Sequence, residues 1–282
     1  MKIAIIIPAY NEERYIVTTL QSLLNQSKKP TKILVVDDNS TDATAVITKK
    51  IAREHDNLFY LKKDSEQIHL PGSKVIQAFN FGLNALKTDF DIICKFDADL
   101  IFPPEYLERL TLIFENGQRV GMAGGFCHIS KNGSWKLENL TNSDHIRGAL
   151  KAYRWACFQE IKGLKPAMGW DTLDELLAKY HNWDVVTDAS LIVKHLKPTG
   201  KIYAKEARLK QGEAFYGLRY GLALTIIAST KLAFLKKDPS YLKNCLEGYF
   251  LAKRRKKPFL VNEKEGSFIR KLRWDAIKKK IF

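Results

Sequence analysis

Three short polar stretches in the first hundred residues carry groups able to do chemistry, and each follows an apolar run. Asp97-Ala98-Asp99 directly follows Phe90-Asp91-Ile92-Ile93-Cys94-Lys95-Phe96. Two carboxylates at the end of a buried strand are either pushed into solvent or neutralised by a cation. A divalent ion held by one or two carboxylates together with substrate phosphates is the usual arrangement for nucleotide-phosphate chemistry. Taken alone, an Asp-x-Asp is most often a turn, so its position in the chain has to decide. Two further stretches share that position: Pro8-Ala9-Tyr10-Asn11-Glu12 after the first apolar run, and Asp37-Asp38-Asn39-Ser40 after the second.

The elements that would place these residues are legible. Lys2 to Ile7, Lys32 to Val36, Asn57 to Leu61 and Phe90 to Phe96 read as strands. Between them, Glu12 to Asn25 places Ile16, Leu20, Leu23 and Leu24 at helical spacing. Thr41 to Glu54, capped near Ser40 or Asp42, and Ser73 to Leu86 are the next helices. Alternation of strand and helix predicts an α/β fold with a mostly parallel sheet and helices on both faces. Ligands bind such sheets beyond the carboxyl ends of the strands, where all three polar stretches fall. Further on, Pro103 to Trp135 reads as a helix and strands, Ala189 to Val193 as a strand, and the chain beyond Lys205 as helical. Two domains are expected: residues 1–205, with a nucleotide-binding half (1–100) and an acceptor half (101–205), and a helical basic extension (206–282).

Composition limits the function classes. Of 282 residues, 45% are hydrophobic and 11% aromatic, which suffices for a packed core. Cys94, Cys127, Cys157 and Cys245 show no CxxC pairing, and the first three read as small buried hydrophobes, as in a reducing compartment. The apolar start, broken by Pro8, reads as a strand rather than a signal segment. No run of eighteen apolar residues is present, so no membrane span is expected. The net charge is +15, and residues 201–282 hold 21 Lys and Arg against 7 Asp and Glu, almost all of the excess. Lys253-Arg254-Arg255-Lys256-Lys257 is its densest run. That charge reads either as a solvated tail or as a site for an anionic partner, membrane lipid headgroups or nucleic acid.

Together, Ile5-Ile6-Ile7-Pro8-Ala9-Tyr10-Asn11-Glu12, Val35-Val36-Asp37-Asp38-Asn39-Ser40-Thr41-Asp42, Asp97-Ala98-Asp99, Gly169-Trp170-Asp171-Thr172-Leu173-Asp174-Glu175-Leu176 and Val193-Lys194-His195 resemble the family 2 glycosyltransferases of bacterial cell-envelope type. The helix from Gly72 to Ala85 is similar to that family's as well, and the resemblance covers about residues 1–200. It implies a GT-A fold and an inverting, metal-dependent transfer from a nucleotide-diphosphate sugar, a UDP-sugar foremost. The implied acceptor is a cell-envelope glycan or a lipid-linked molecule. Asp97, Asp99 and His195 would hold Mn²⁺ or Mg²⁺. Pro8, Ala9, Tyr10, Glu12, Asp38, Lys74, Asp97 and Ala98 would contact the donor: Asp38 the base, Pro8 and Tyr10 its pocket, Glu12 the ribose side and Lys74 the diphosphate. His195 also reads as an ordinary strand-end histidine, Tyr10 as a core aromatic and Lys74 as a surface lysine. The family's adjacent Glu-Asp pair is missing, so Asp171 and Asp174 compete as general base, with Asp171 ahead because it follows Gly169-Trp170. Arg147, Arg154 and Trp155 are candidates for acceptor contacts or for structural roles.

Two other readings are weighed against this one. Transfer to polyprenyl phosphate would use the same donor edge. A nucleic-acid-binding protein would use the basic tail, but no recognition module is apparent and the acids would repel phosphate, so no nucleic acid partner is expected. A dinucleotide-dependent oxidoreductase is disfavoured because the turn after the first strand lacks GxGxxG. The expected location is cytoplasmic, peripheral on the inner face of the cytoplasmic membrane.

Overall fold

The computed structural model describes residues 1–64, 73–86, 89–138, 144–197 and 205–281. The chain divides into two compact units, residues 1–166 with 170–199, and residues 167–169 with 200–282. Gly72 and the segment from Gly200 to Ala204 lie outside the described residues.

The first unit is built on one sheet. Strands β1 (Ile3–Ala9), β2 (Lys32–Asp37), β3 (Leu58–Lys62) and β4 (Ile92–Phe96) lie in the order β3-β2-β1-β4, all parallel. Every residue of β1 is buried, so both of its faces are covered, as its unbroken apolar run requires. Helices α1 (Ile16–Leu24), α2 (Thr44–Ala52) and α3 (Lys74–Ala85) connect these strands. The parallel pattern stops at β4. The sheet continues through β8 (Leu150–Arg154), antiparallel to β4, then β6 (Val120–Lys131) and β9 (Asp184–His195), and ends at β5 (Leu100–Ile101). A side arm, β7 (Ser134–Leu137), pairs with β6. The sheet is therefore mixed: β8 runs antiparallel to β4 and β6, and β5 to β9, while β6 and β9 pair in parallel. Helix α4 (Tyr106–Asn116) precedes β6, and α5 (Trp155–Glu160) and α6 (Trp170–Tyr180) separate β8 from β9.

Strand β8 falls in a stretch rich in Trp and charge that sequence periodicity left unassigned. Strand β9 is much longer than the expected Ala189 to Val193. Its pairing with β6 shifts register between Gly124 and Phe126. Gly125 makes this possible, since a Cβ there would lie 2.0 Å from the Leu191 carbonyl oxygen. Beyond that irregularity the strands re-register with Cys127 beside Val193 and Ile129 beside His195.

The first two helices start later than their periodicity suggests, for one shared reason. The loops after β1 and β2 bond to each other instead of continuing as helix. Asn11 and Asn39 take positive φ (55° and 65°), which asparagine tolerates. The Asn11 N–H donates to Ser40 Oγ (3.0 Å) and the Thr41 N–H to Asn11 Oδ1 (2.9 Å). The Glu12 N–H donates to Thr44 Oγ1 (2.8 Å), and Asp42 receives the Glu13 N–H (3.1 Å) while capping Thr44 (2.9 Å).

The second unit holds α7 (Lys205–Gly217), α8 (Gly221–Lys236), α9 (Ser240–Arg254) and α10 (Glu263–Ile281). Helices α7 and α9 cross at two glycines: a Cβ on Gly212 would lie 1.8 Å from the Cys245 oxygen, and one on Gly248 2.0 Å from the Leu209 oxygen. All four cysteines of the chain are buried free thiols.

Candidate active site

The carboxyl ends of β1, β2 and β4 carry the groups singled out in the sequence. Pro8 and Ala9 are in β1, opposite Val36 and Asp37 of β2. Ala9 is buried, and its carbonyl accepts the Asp38 N–H at 2.8 Å. Asp37 is a structural acid, receiving the Ser40 N–H (2.9 Å) and the Tyr60 hydroxyl (2.8 Å). Asp38 is ion-paired with Lys63 at 2.7 Å. Tyr10 is 44% exposed, so it is not a core aromatic, and the Lys74 ammonium sits 5.8 Å from its ring centre.

Glu12 reaches toward the acids at the end of β4. One oxygen pairs with Lys197 at 3.0 Å; the other is buried without a hydrogen-bond partner. Burial raises its carboxyl above the ordinary range; the Lys197 contact opposes this and the charges of Asp99 and Asp97 add to it.

The turn Asp97-Ala98-Asp99 is pinned by its backbone. The Asp97 N–H donates to the Ala149 carbonyl at 3.1 Å, and the Ala98 carbonyl accepts the buried Thr19 hydroxyl at 2.7 Å. The Leu196 N–H donates to the Asp99 carbonyl at 2.9 Å, and Leu100 pairs with His195 across β5 and β9. This aligns the side chains: His195 Nε2 lies 3.4 Å from Asp99 Oδ2. The other Asp99 oxygen is buried and has no hydrogen-bond partner. A buried carboxylate oxygen without a donor is costly unless a cation meets it. Oxygen donors from Asp99 and Asp97 with an imidazole nitrogen from His195 suit Mn²⁺ or Mg²⁺. Asp97 is a third exposed and ion-paired with the buried Lys95, so its own charge is already partly met.

A second cluster lies between β8 and α6. Lys151 is fully buried, its ammonium 3.0 Å from both Asp174 Oδ1 and Glu175 Oε1. Tyr153 donates to Asp174 Oδ2 at 2.6 Å. His145 bridges Glu175 (3.0 Å) and Asp171 (3.6 Å). The two expected catalytic acids thus differ in setting. Asp174 is 2% exposed with both oxygens engaged, whereas the Asp171 side chain is one-third exposed. Burial, opposed by Lys151 and reinforced by Glu175, pushes Asp174 up to about 7. Against its own burial, Asp171 is held below the usual range by the His145 hydrogen bond and the Lys151 charge. Burial also works against a charged His145, but its bonds to Asp171 and Glu175 prevail and raise it to about 9.

Three acceptor-side candidates have structural partners. Arg147 is ion-paired with Glu138. Arg154 donates to the carbonyls of Val120, Phe114 and Gly117, tying the start of β6 to the end of α4. Trp155 stacks on Phe158 with ring centres 5.5 Å apart. Sequence reasoning missed His145, Lys151, Tyr153 and Glu138. Lys151 carried a faint signal, one cation inside the apolar run Leu150 to Tyr153. Glu138, 57 residues before the histidine it meets, carried none.

The His145 setting gives a pH prediction. Folded His145 keeps its proton up to about 9, while an unfolded imidazole loses it near 6.5. The folded chain therefore binds more protons in that window, and stability falls as pH rises through it. The raised Asp174 acts with the same sign between 3.8 and about 7, so pH 7 to 9 isolates the histidine. Denaturant unfolding across that range should show wild type losing up to ~3 kcal/mol more than His145→Gln. Identical slopes would contradict the network.

Comparison with known proteins bears on the family and the fold. A model of the family described as glycosyl transferase family 2 matches residues 4–165. A putative glycosyltransferase TagX of Staphylococcus aureus (strain MRSA252) is 31% identical over 143 residues, covering 49% of this chain and 38% of that protein. The probable glycosyltransferase YdaM of Bacillus subtilis (strain 168) is 26% identical over 187 residues, 65% of this chain and 43% of that one. The chain thus matches less than half the length of these curated relatives. Among solved structures, S. aureus TarS 1-349 in complex with UDP-GlcNAc aligns at a TM-score of 0.57 and 20% identity, over 76% of this chain and 67% of that one. The mannosyltransferase PcManGT from Pyrobaculum calidifontis, in complex with GDP-Man and Mn²⁺, aligns at 0.59 and 15% identity, over 98% and 80%. At such identities the likeness concerns the fold, which is the GT-A α/β fold expected from the motifs. Since the family model takes in more than half of its length, this chain belongs to glycosyl transferase family 2.

Proposed function

We propose that the protein is a metal-dependent, inverting glycosyltransferase that uses a nucleotide-diphosphate sugar, with uridine as the base. The observation that carries this reading is the Asp99 carboxylate oxygen, buried without a partner beside His195 at the open end of β4. Asp99 and His195, with Asp97, would hold Mn²⁺ or Mg²⁺. When bound, the ion supplies positive charge against the leaving diphosphate. Pro8, Ala9 and Asp38 offer the base a strand-end edge, and exposed Tyr10 offers it a ring to stack on. Glu12 faces the ribose, and Lys74, above Tyr10, reaches for the diphosphate. Asp171 takes the acceptor hydroxyl's proton. It is ionised and partly exposed, while Asp174 is locked by Lys151 and Tyr153. An ionised acid aimed at the acceptor suits a hydroxyl, and it would repel a polyprenyl phosphate.

Asp99→Asn should cut transfer from a UDP-sugar by about 10²-fold or more. Because one Asp99 oxygen is buried without a partner in the fold, the metal-free melting temperature should stay level or rise. Asp171→Asn should keep UDP binding and lose transfer; Asp174→Asn should instead lose stability. Full turnover in Asp99→Asn, assayed with a panel of UDP-sugars, would refute the metal role. Full turnover in Asp171→Asn would move the base elsewhere.

The acceptor is a cell-envelope glycan or lipid-linked molecule, reached at the inner face of the cytoplasmic membrane. Among the described residues no helix is long and apolar enough to cross a membrane. Helix α8, however, exposes Leu222, Ile226, Ile227, Phe234 and Leu235. Lys231, Lys236 and Lys237 are exposed on or beside it, and Lys253 to Lys256 at the end of α9 are exposed too. An apolar helix face with neighbouring cations is suited to lying on anionic lipid. Each cation near such a surface is worth about 1 kcal/mol, less at high salt. Liposome co-sedimentation should need anionic lipid, fall with salt, and drop for Phe234→Ser or when Lys253 to Lys256 are neutralised. No binding to anionic vesicles at low salt would refute the membrane arm alone.

A further inference from the structure

Three adjacent strands, β7, β6 and β9, bring Glu138, Cys127 and His195 together behind the donor edge. The Glu138 N–H donates to the Cys127 carbonyl at 2.9 Å, extending the β6–β7 ladder by one residue, while Ile129 lies beside His195. All four residues of β7 are exposed, yet the next one, Glu138, is 6% exposed. Its Oε2 lies 2.7 Å from His195 Nδ1 and is also ion-paired with Arg147. Ligand atoms of Cys127, Glu138 and His195 all fall within 4.8 Å of one another. That trio does not need an ion of its own. Arg147 supplies the positive charge at Glu138, and burial pushes the Cys127 thiol up to about 11, against the thiolate a metal would require.

We propose that Glu138, braced by Arg147, is the positioning residue that turns His195 into a metal ligand. An ionised carboxylate only accepts hydrogen bonds, so the His195 nitrogen facing it must carry the proton. In the neutral ring this leaves the lone pair on Nε2, the atom 3.4 Å from Asp99. Two acceptors then face each other at the mouth of the donor edge, an arrangement a divalent ion resolves. Ligating histidines commonly donate their other N–H to a carboxylate in this way, and loss of that partner typically costs 10- to 100-fold in metal affinity. The inference rests on the metal reading above and adds the group that orients the ligand.

Two measurements on the full chain test it without relying on turnover. Long-range ¹⁵N NMR of the metal-free protein should show His195 with its proton on Nδ1. Glu138→Ala should lose that tautomer preference, while Glu138→Gln, which keeps an acceptor oxygen, should retain it. Mn²⁺ binding in the presence of UDP, followed by electron paramagnetic resonance, should weaken 10- to 100-fold in Glu138→Ala. Glu138→Gln should stay within several-fold of wild type. The double variant Glu138→Ala/His195→Ala should bind no worse than His195→Ala. Should Glu138→Ala misfold by circular dichroism, Glu138→Gln and Arg147→Met carry the comparison. The proposal is overturned by a proton on Nε2 in wild type, or by wild-type Mn²⁺ affinity in Glu138→Ala where His195→Ala has lost it. An Nδ1 proton in a wild-type protein that takes up no Mn²⁺ with UDP contradicts the metal reading itself.

Discussion

Two buried lysines stand directly opposite each other in the centre of the sheet, and both halves of the site are arranged around them. Lys95 of β4 and Lys151 of β8 are register partners in an antiparallel pair. Both are almost fully buried. Like charges at such a position destabilise a sheet unless each is met. Lys95 is met by Asp97 and by the Gly148 carbonyl (3.0 Å), and Lys151 by Asp174 and Glu175. The Trp170 ring lies near both, 5.4 Å and 6.0 Å from the two ammonium groups. The need to compensate two buried cations therefore fixes one acid of the donor edge and two acids of the acceptor side.

This constraint separates the acids that balance the buried lysines from those that do not. Asp174 and Glu175 balance Lys151 and are buried. Asp37 closes a turn and holds Tyr60. Outside that set stand Asp99 and Glu12, each with an unmet oxygen, and Asp171, partly open and held below the usual range by its neighbours. The same logic explains why the backbone around Asp97 to Asp99 is so thoroughly bonded. On the proposed metal role, a group that meets an ion in the substrate complex has to be held still before the ion arrives, or ordering it would consume binding energy.

The sequence showed the first hundred residues well and the next hundred poorly. Runs such as Ile3 to Ile7 are unambiguous because strands covered on both faces must be apolar throughout. Their polar ends then stand out, and Asp38, Asp97, Asp99 and His195 do lie at strand ends. Strand β8 was hidden because its run Leu150 to Arg154 contains two cations, and only the acids of α6 make Lys151 tolerable there. Helix starts at Ile16 and Thr44 were misjudged because Asn11, Asp42 and Thr44 bond across two loops far apart in sequence. The role of Glu138 is invisible locally, since its partners come from β6, β9 and the segment before β8.

The central claim is that Asp99 and His195 wait for a divalent ion that arrives with the donor diphosphate. The most direct measurement is the thermal unfolding of the full chain with UDP, GDP and dTDP, each with and without Mn²⁺. Ligands that bind only the folded state raise the melting temperature in proportion to their occupancy. The account predicts that UDP with Mn²⁺ raises it by several degrees, that either alone does little, and that Asp99→Asn removes the joint effect. Equal stabilisation by UDP with and without Mn²⁺, retained in Asp99→Asn, would contradict it.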